Sequence, residues 1–289
     1  WTNKRMKKEI SVTIEELESV GYFASSYIVD ALNSALILGK PLLIEGPAGS
    51  GKTWLAKALS ELMSWELIRL QSHEGIDEDK ALYEWNYRKQ LLSLQSEADK
   101  NEVIDDIFSE DYLIERPILR ALRSEKTSLL LIDEVDRADE EMEALLLEVL
   151  AEDQVTIPEL GTVVGSENFY TVLTSNSTRE LSDALKRRCI YLYLDFPEVA
   201  REALILRNHI SDISKTDSEQ IASMISYIRK LNIQKPPSIA EVSDWLKYVW
   251  SKDKNLEQVD LKKNIGILIK NNRDQEVVLE EIENFNNKQ

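Results

Sequence analysis

The stretch Gly46-Pro47-Ala48-Gly49-Ser50-Gly51-Lys52-Thr53 constrains this chain more than any other feature. It follows a short apolar run, Pro41-Leu42-Leu43-Ile44-Glu45, which reads as a strand. It precedes a segment in which Leu55, Leu59 and Leu62 recur at helical spacing. Strand, glycine-rich turn and helix, in that order, are the setting in which G-x-x-x-x-G-K-[ST] builds a phosphate loop. The glycines let successive backbone N–H groups turn inward, and the helix start adds the positive end of its dipole. Gly46, Pro47, Ala48, Gly49, Ser50, Gly51, Lys52 and Thr53 are therefore the predicted cradle for nucleotide phosphates. Lys52 is expected on the β- and γ-phosphates and the Thr53 hydroxyl on Mg²⁺.

A second apolar run, Ser128 to Ile132, shows no alternation, which suits a parallel strand covered on both faces. It ends in Asp133-Glu134. A carboxylate pair at a strand end is commonly a solvated turn. After a phosphate loop in the same α/β pattern it reads as a Walker B pair, with Asp133 holding Mg²⁺ through water and Glu134 polarising the attacking water. Asn176 closes the next strand, Tyr170 to Thr174. Strand C-termini line the ligand crevice of an open parallel sheet, so Asn176 is expected to orient the water and meet the γ-phosphate. Leu185-Lys186-Arg187-Arg188-Cys189 follows. It reads either as a solvated basic turn or as an arginine finger, Arg187 or Arg188, reaching a neighbouring subunit's nucleotide.

Composition narrows the classes. At 289 residues the chain is long enough for about two domains. Its 35 Lys and Arg against 52 Asp and Glu leave a net charge of −17, which argues against a broad duplex-binding face. One cysteine, Cys189, excludes a disulfide framework within the chain and a multi-cysteine zinc site, and two histidines argue against a His-rich metal centre. No apolar run approaches the length of about 18 that a membrane span needs. Trp1-Thr2-Asn3-Lys4-Arg5 does not read as a secretory signal, and a cytoplasmic location is expected.

Strands alternate with helices as far as Pro197, which implies a parallel sheet with helices on its faces. Glu66 to Gln71 is one of these strands and Ile190 to Leu194 another, and Gln154 to Val164 reads as a hairpin. Residues 74–126 read as charged and mostly helical. They hold an aromatic group, Tyr83, Trp85 and Tyr87, suited to packing or to gripping a substrate. A helix runs from Asp139 to Ala151. After Pro197 the pattern is all helix, roughly 198–210, 217–231, 238–252 and 260–285, the last striped by Val278, Ile282 and Phe285. The expected division is an α/β nucleotide-binding domain over 1–197 and a helical domain over 198–289.

Together the phosphate loop, Asp133-Glu134, the strand-terminal Asn176 and the Arg pair resemble an AAA+ ATPase. Three stretches are similar to its MoxR branch, and within it to the CoxD-like ATPases for maturation of carbon monoxide dehydrogenase. They are Glu74-Gly75-Ile76-Asp77 with Tyr83-Glu84-Trp85, Leu131 to Glu140, and Thr174 to Leu181 running into Ala184 to Cys189. The resemblance covers roughly residues 20–250. It implies a P-loop AAA+ parallel sheet with flanking helices, followed by a small all-α lid domain. It further implies ATP and Mg²⁺ as cofactors and a homo-oligomeric ring, a hexamer. A von Willebrand factor A domain protein is the implied partner, and a metalloenzyme or enzyme complex the implied client. Glu74 to Tyr87 would face the ring pore, and Gly21-Tyr22 would contact adenine. The chain departs from the pattern at Lys235 to Glu241, where many AAA+ lids carry a sensor Arg and this one has none. The rival reading is a nucleic-acid-directed motor of a related branch.

Overall fold

A computed structural model describes residues 10–96, 107–166, 169–252 and 261–286. The chain forms two compact units. One comprises Trp1–Val20, Ala24–Gly46 and Lys52–Tyr193; the other comprises Gly21–Phe23, Pro47–Gly51 and Leu194–Gln289.

The first unit contains, in order, α1 (Ile14–Ser19), α2 (Ser26–Leu38), β1 (Leu42–Glu45), α3 (Lys52–Met63), β2 (Glu66–Gln71), α4 (Glu78–Ala81), β3 (Tyr83–Trp85) and α5 (Tyr87–Ser96). After these come β4 (Leu113–Glu115), α6 (Pro117–Arg123), β5 (Ser128–Asp133), α7 (Glu140–Glu152), β6 (Gln154–Ile157), β7 (Gly161–Val164), β8 (Phe169–Ser175), α8 (Asp183–Arg188) and β9 (Ile190–Tyr193). Five strands form one sheet in the order β2-β5-β8-β1-β9, and every pairing in it is parallel. The unbroken apolar runs occupy its middle, where each residue of β1, β5 and β8 is buried. Register sets Glu45 beside Ser175 and Gln71 beside Asp133, so the polar residues ending these strands gather at one edge. Sheet and flanking helices make this the P-loop AAA+ fold, and a helical region follows it.

The predicted hairpin is present as β6 paired antiparallel to β7. The helical reading of the aromatic segment is corrected. Tyr83–Trp85 is a strand paired antiparallel with Leu113–Glu115. Tyr83 and Trp85 point the same way, two residues apart, and both are buried. Their rings meet edge to face at 6.0 Å, and Phe108 adds a second such contact to Trp85 at 5.4 Å. They pack. Tyr87 opens α5 and is 61% exposed.

The second unit holds α9 (Val199–His209), α10 (Lys215–Lys230), α11 (Ile239–Lys252), α12 (Leu261–Leu268) and α13 (Asn272–Asn286). The single helix expected over 260–285 is two. Asn271 Oδ1 accepts from Arg273 N and Asp274 N, which starts a new helix after Ile269 and Lys270. Val278 and Ile282 are buried as the stripe required, and the Phe285 side chain lies outside the described residues. This unit's core includes Leu206, Ile225, Trp245 and Leu268. Beside it Arg229 makes a two-bond ion pair with Glu202 at 2.7 and 2.9 Å, both side chains almost fully buried. Burial pushes the Glu202 carboxyl up, against the pull of Arg229. Arg229 Nε also donates to Pro237 O, and Asp274 accepts from Gln234 N and Lys235 N. The turn leading into α11 is thus held from both sides. Among the described residues no helix is long and apolar enough to cross a membrane.

Candidate nucleotide site

β1 delivers the chain to the glycine loop and α3 takes it away. Gly49 has φ +78°, and a Cβ placed there would stand 2.1 Å from the Ser238 Cβ, so only glycine fits. Its carbonyl accepts from Ile239 N at 3.2 Å, at the start of α11. There Ser238 and Glu241 cap each other's backbone. This is the segment that lacks the sensor Arg. Ser50 is buried, and its hydroxyl has no hydrogen-bond partner among the described residues.

Lys52, the first residue of α3, is buried. Its Nζ donates to Gly46 O at 2.9 Å and to Asn176 Oδ1 at 2.8 Å. Burial lowers its pKa, while Asp136, Asp133 and Glu134 pull the other way. Thr53 Oγ1 donates to Asp133 Oδ1 at 2.9 Å. The same oxygen accepts from Thr174 Oγ1, whose own oxygen receives Glu134 N at 3.0 Å. Arg69 holds the other carboxylate oxygen, Oδ2, through Nε and Nη2. Glu134 has φ +56°, and its side chain pairs with Arg137 at 3.0 Å.

Beyond the strand ends, two buried carboxylates fasten the segment 176–182. Asp136 accepts from Asn176 N, Thr178 N and Thr178 Oγ1 at 3.1, 3.0 and 2.5 Å. Glu143 accepts from Arg179 Nη2 at 2.5 Å and from Ser182 N at 3.1 Å. Burial alone would raise both pKa values, but these donors outweigh it and hold both carboxyls below their ordinary range. Ser182 in turn caps α8 through Leu185 N. Arg187 and Arg188 end that helix, exposed, and neither side chain makes a hydrogen bond or ion pair among the described residues.

The structure therefore bonds Lys52 to Asn176 and Thr53 to Asp133, two pairs rooted in adjacent residues. Glu134 stands on the same turn, turned to Arg137. Arg187 and Arg188 take no part in that network. Four contributors escaped the sequence reading: Arg69, Thr174, Asp136 and Glu143. Thr174 alone left a local signal, as a polar residue near the end of an apolar strand, two positions before Asn176. Cys189 is buried, as expected of a small apolar residue, and burial pushes its thiol up to about 12.

These donors fit a magnesium nucleotide. Thr53 and Asp133 set two hard oxygens side by side, the donor type Mg²⁺ takes while keeping several waters. Lys52 is a buried cation whose bonds to Gly46 and Asn176 are exchangeable for phosphate oxygens.

The model for the AAA domain of the dynein-related subfamily matches residues 41–189, just over half of the sequence. The chain belongs to this AAA family. Its sequence is 28% identical over 207 residues to the gas vesicle ATPase GvpN of Haloferax mediterranei, covering 68% of this chain and 58% of that protein. It is 26% identical over 204 residues to the gas vesicle ATPase GvpN1 of Halobacterium salinarum, with the same two coverages. The match thus spans less than two thirds of these relatives' length. A solved structure of a Cytophaga hutchinsonii protein described as an ATPase covers 82% of this chain and 66% of its own at 17% identity, with a TM-score of 0.48.

Proposed function

We propose that this protein binds ATP with Mg²⁺ and hydrolyses it to ADP and phosphate, as the motor of a protein remodeller. The observation that carries the reading is the bonded set Lys52–Asn176 and Thr53–Asp133 at the sheet edge. Gly46 to Thr53 hold the phosphates, with Lys52 exchanging its present acceptors for phosphate oxygens. Thr53 and Asp133 hold Mg²⁺, which neutralises charge on the phosphates when bound. Glu134 swings from Arg137 to take a proton from water as the water oxygen bonds to the γ-phosphorus and the bond to ADP breaks. Asn176 orients that water. Arg187 or Arg188 offsets charge on a neighbour's nucleotide.

We further propose residues 1–197 as the nucleotide-binding domain, residues 198–289 as its lid, and a cytoplasmic hexameric ring as the working form. Resemblance to the CoxD-like group supports a metalloenzyme or enzyme complex as client and a von Willebrand factor A domain protein as partner. The gas vesicle ATPases among the relatives likewise favour a client other than nucleic acid. Glu134→Gln is the test. It is expected to retain ATP and lose phosphate release, and a pull-down with this trapped form is expected to bring down the client. Turnover at the wild-type rate would refute Glu134 as the base. Stimulation of the ATPase several-fold by DNA at low salt, lost at high salt, would favour the nucleic-acid motor instead.

A further inference from the structure

Arg69 stands on the edge strand β2 with its side chain 47% exposed, yet it reaches a carboxylate that is 4% exposed. Nε and Nη2 both donate to Asp133 Oδ2, at 3.1 and 2.5 Å, and Nη2 also reaches Gln71 Oε1 at 2.5 Å. The register explains the reach. Gln71 pairs with Asp133, and Arg69 lies two residues back on the same face of β2. Asp133 Oδ1 meanwhile accepts from Thr53 and Thr174. Both carboxylate oxygens are thus engaged by protein donors, and a permanent positive charge sits on the side away from Thr53.

We propose that Arg69 is a positioning residue of the magnesium site. It anchors Asp133 through Oδ2, leaves Oδ1 turned to Thr53, and by its charge sets how much magnesium the nucleotide complex requires. This rests on the nucleotide reading given above. A buried carboxylate without a countercharge attracts a divalent ion more strongly, and the guanidinium cancels part of that attraction. A strut that only braced β2 against β5 would leave the magnesium requirement unchanged.

The test is binding of fluorescent N-methylanthraniloyl-ATP to the full chain while MgCl₂ is titrated. Arg69→Gln removes the charge and is expected to lower the half-saturating magnesium concentration about fivefold, the upper range for one partly exposed pair. Arg69→Lys keeps the charge and is expected to restore the wild-type midpoint. Arg69→Met is carried alongside as an apolar stem should the Gln variant not fold, and a thermal melt in EDTA establishes folding for each. An unchanged or raised midpoint in the charge-removing variants, with nucleotide binding intact, overturns the inference alone, as does a Lys midpoint equal to theirs. Failure of the wild-type chain to bind the nucleotide at any magnesium concentration overturns the reading beneath it, and the inference with it.

Discussion

The sheet edge that carries Asp133 and Asn176 and the segment that follows β2 are built by opposite means. At the sheet edge, Asp133, Asp136 and Glu143 are buried, and each accepts two or more hydrogen bonds. After β2, a ribbon of three residue pairs holds Tyr83 and Trp85 inward, while the helix it leads into turns Tyr87, Leu91 and Leu92 to solvent at about 60% exposure each. Buried charge is tolerable only when fully bonded, so the first region has one arrangement and resists change. The second is secured by two aromatic anchors, and its outer face is free to vary.

The strongest way to break this contrast is Lys52→Ala. It removes the buried cation that meets both Gly46 and Asn176, and ATP binding is expected to fall below detection by nucleotide titration. A chain that still bound ATP with wild-type affinity would separate the bonded set from the nucleotide.

Next is the arginine pair at the end of α8. Replacement of the acting residue, Arg187 or Arg188, by Ala is expected to cut turnover about 10²-fold with nucleotide affinity nearly unchanged. Fingers supplied in trans elsewhere are worth about 10³–10⁵, and Asn176 and Glu134 remain in place here. Mixing that variant with Lys52→Ala subunits pairs an intact loop with an intact finger at some interfaces, so partial recovery of the ATPase is expected. No recovery in rings shown by light scattering to have mixed would rule out action between subunits.

Glu143→Gln sharpens the comparison by reading stability. Loss of a buried charge that accepts from Arg179 and Ser182 is expected to cost about 2 kcal/mol in urea denaturation at neutral pH. The folded-state pKa values of Asp136 and Glu143 are depressed. Their contribution is therefore present above the ordinary carboxylate range and lost as pH falls through the lowered folded values. The gap between wild type and variant should accordingly narrow in acid, and a gap constant with pH would contradict the role given to the charge. The smallest effect is expected at Tyr87. Tyr87→Ser should change stability by no more than about 0.5 kcal/mol, since the residue is exposed, and a larger loss in the same denaturation assay would show that the face is not free.

What the sequence revealed and what it hid divide along the distance between partners. Gly46 to Thr53 and Asp133-Glu134 are contiguous stretches, and their placement between a strand and a helix and at a strand end is legible from neighbours in the chain. Arg69 acts on a residue 64 positions away, Asp136 on one 40 away and Glu143 on one 36 away. Only the sheet register and the path of α7 bring these together. Tyr83-Glu84-Trp85 shows period-two alternation, but three residues are too few to overcome charged, helix-favouring neighbours, and the paired strand lies some thirty residues on. The break at Asn271 did carry a local sign, an Asn-Asn-Arg-Asp start signal, which the continuing apolar stripe masked.

With Glu134 as the base proposed above, its left-handed backbone would set activity against foldability at a single position. A glutamate held at φ +56° raises the energy of the folded chain by about 1 kcal/mol, and glycine would relieve it. Glu134→Gly is therefore expected to melt higher than the parent while losing turnover. A screen for thermal stability alone would enrich the variant that has silenced the enzyme, and only a screen that also reads phosphate release would discard it.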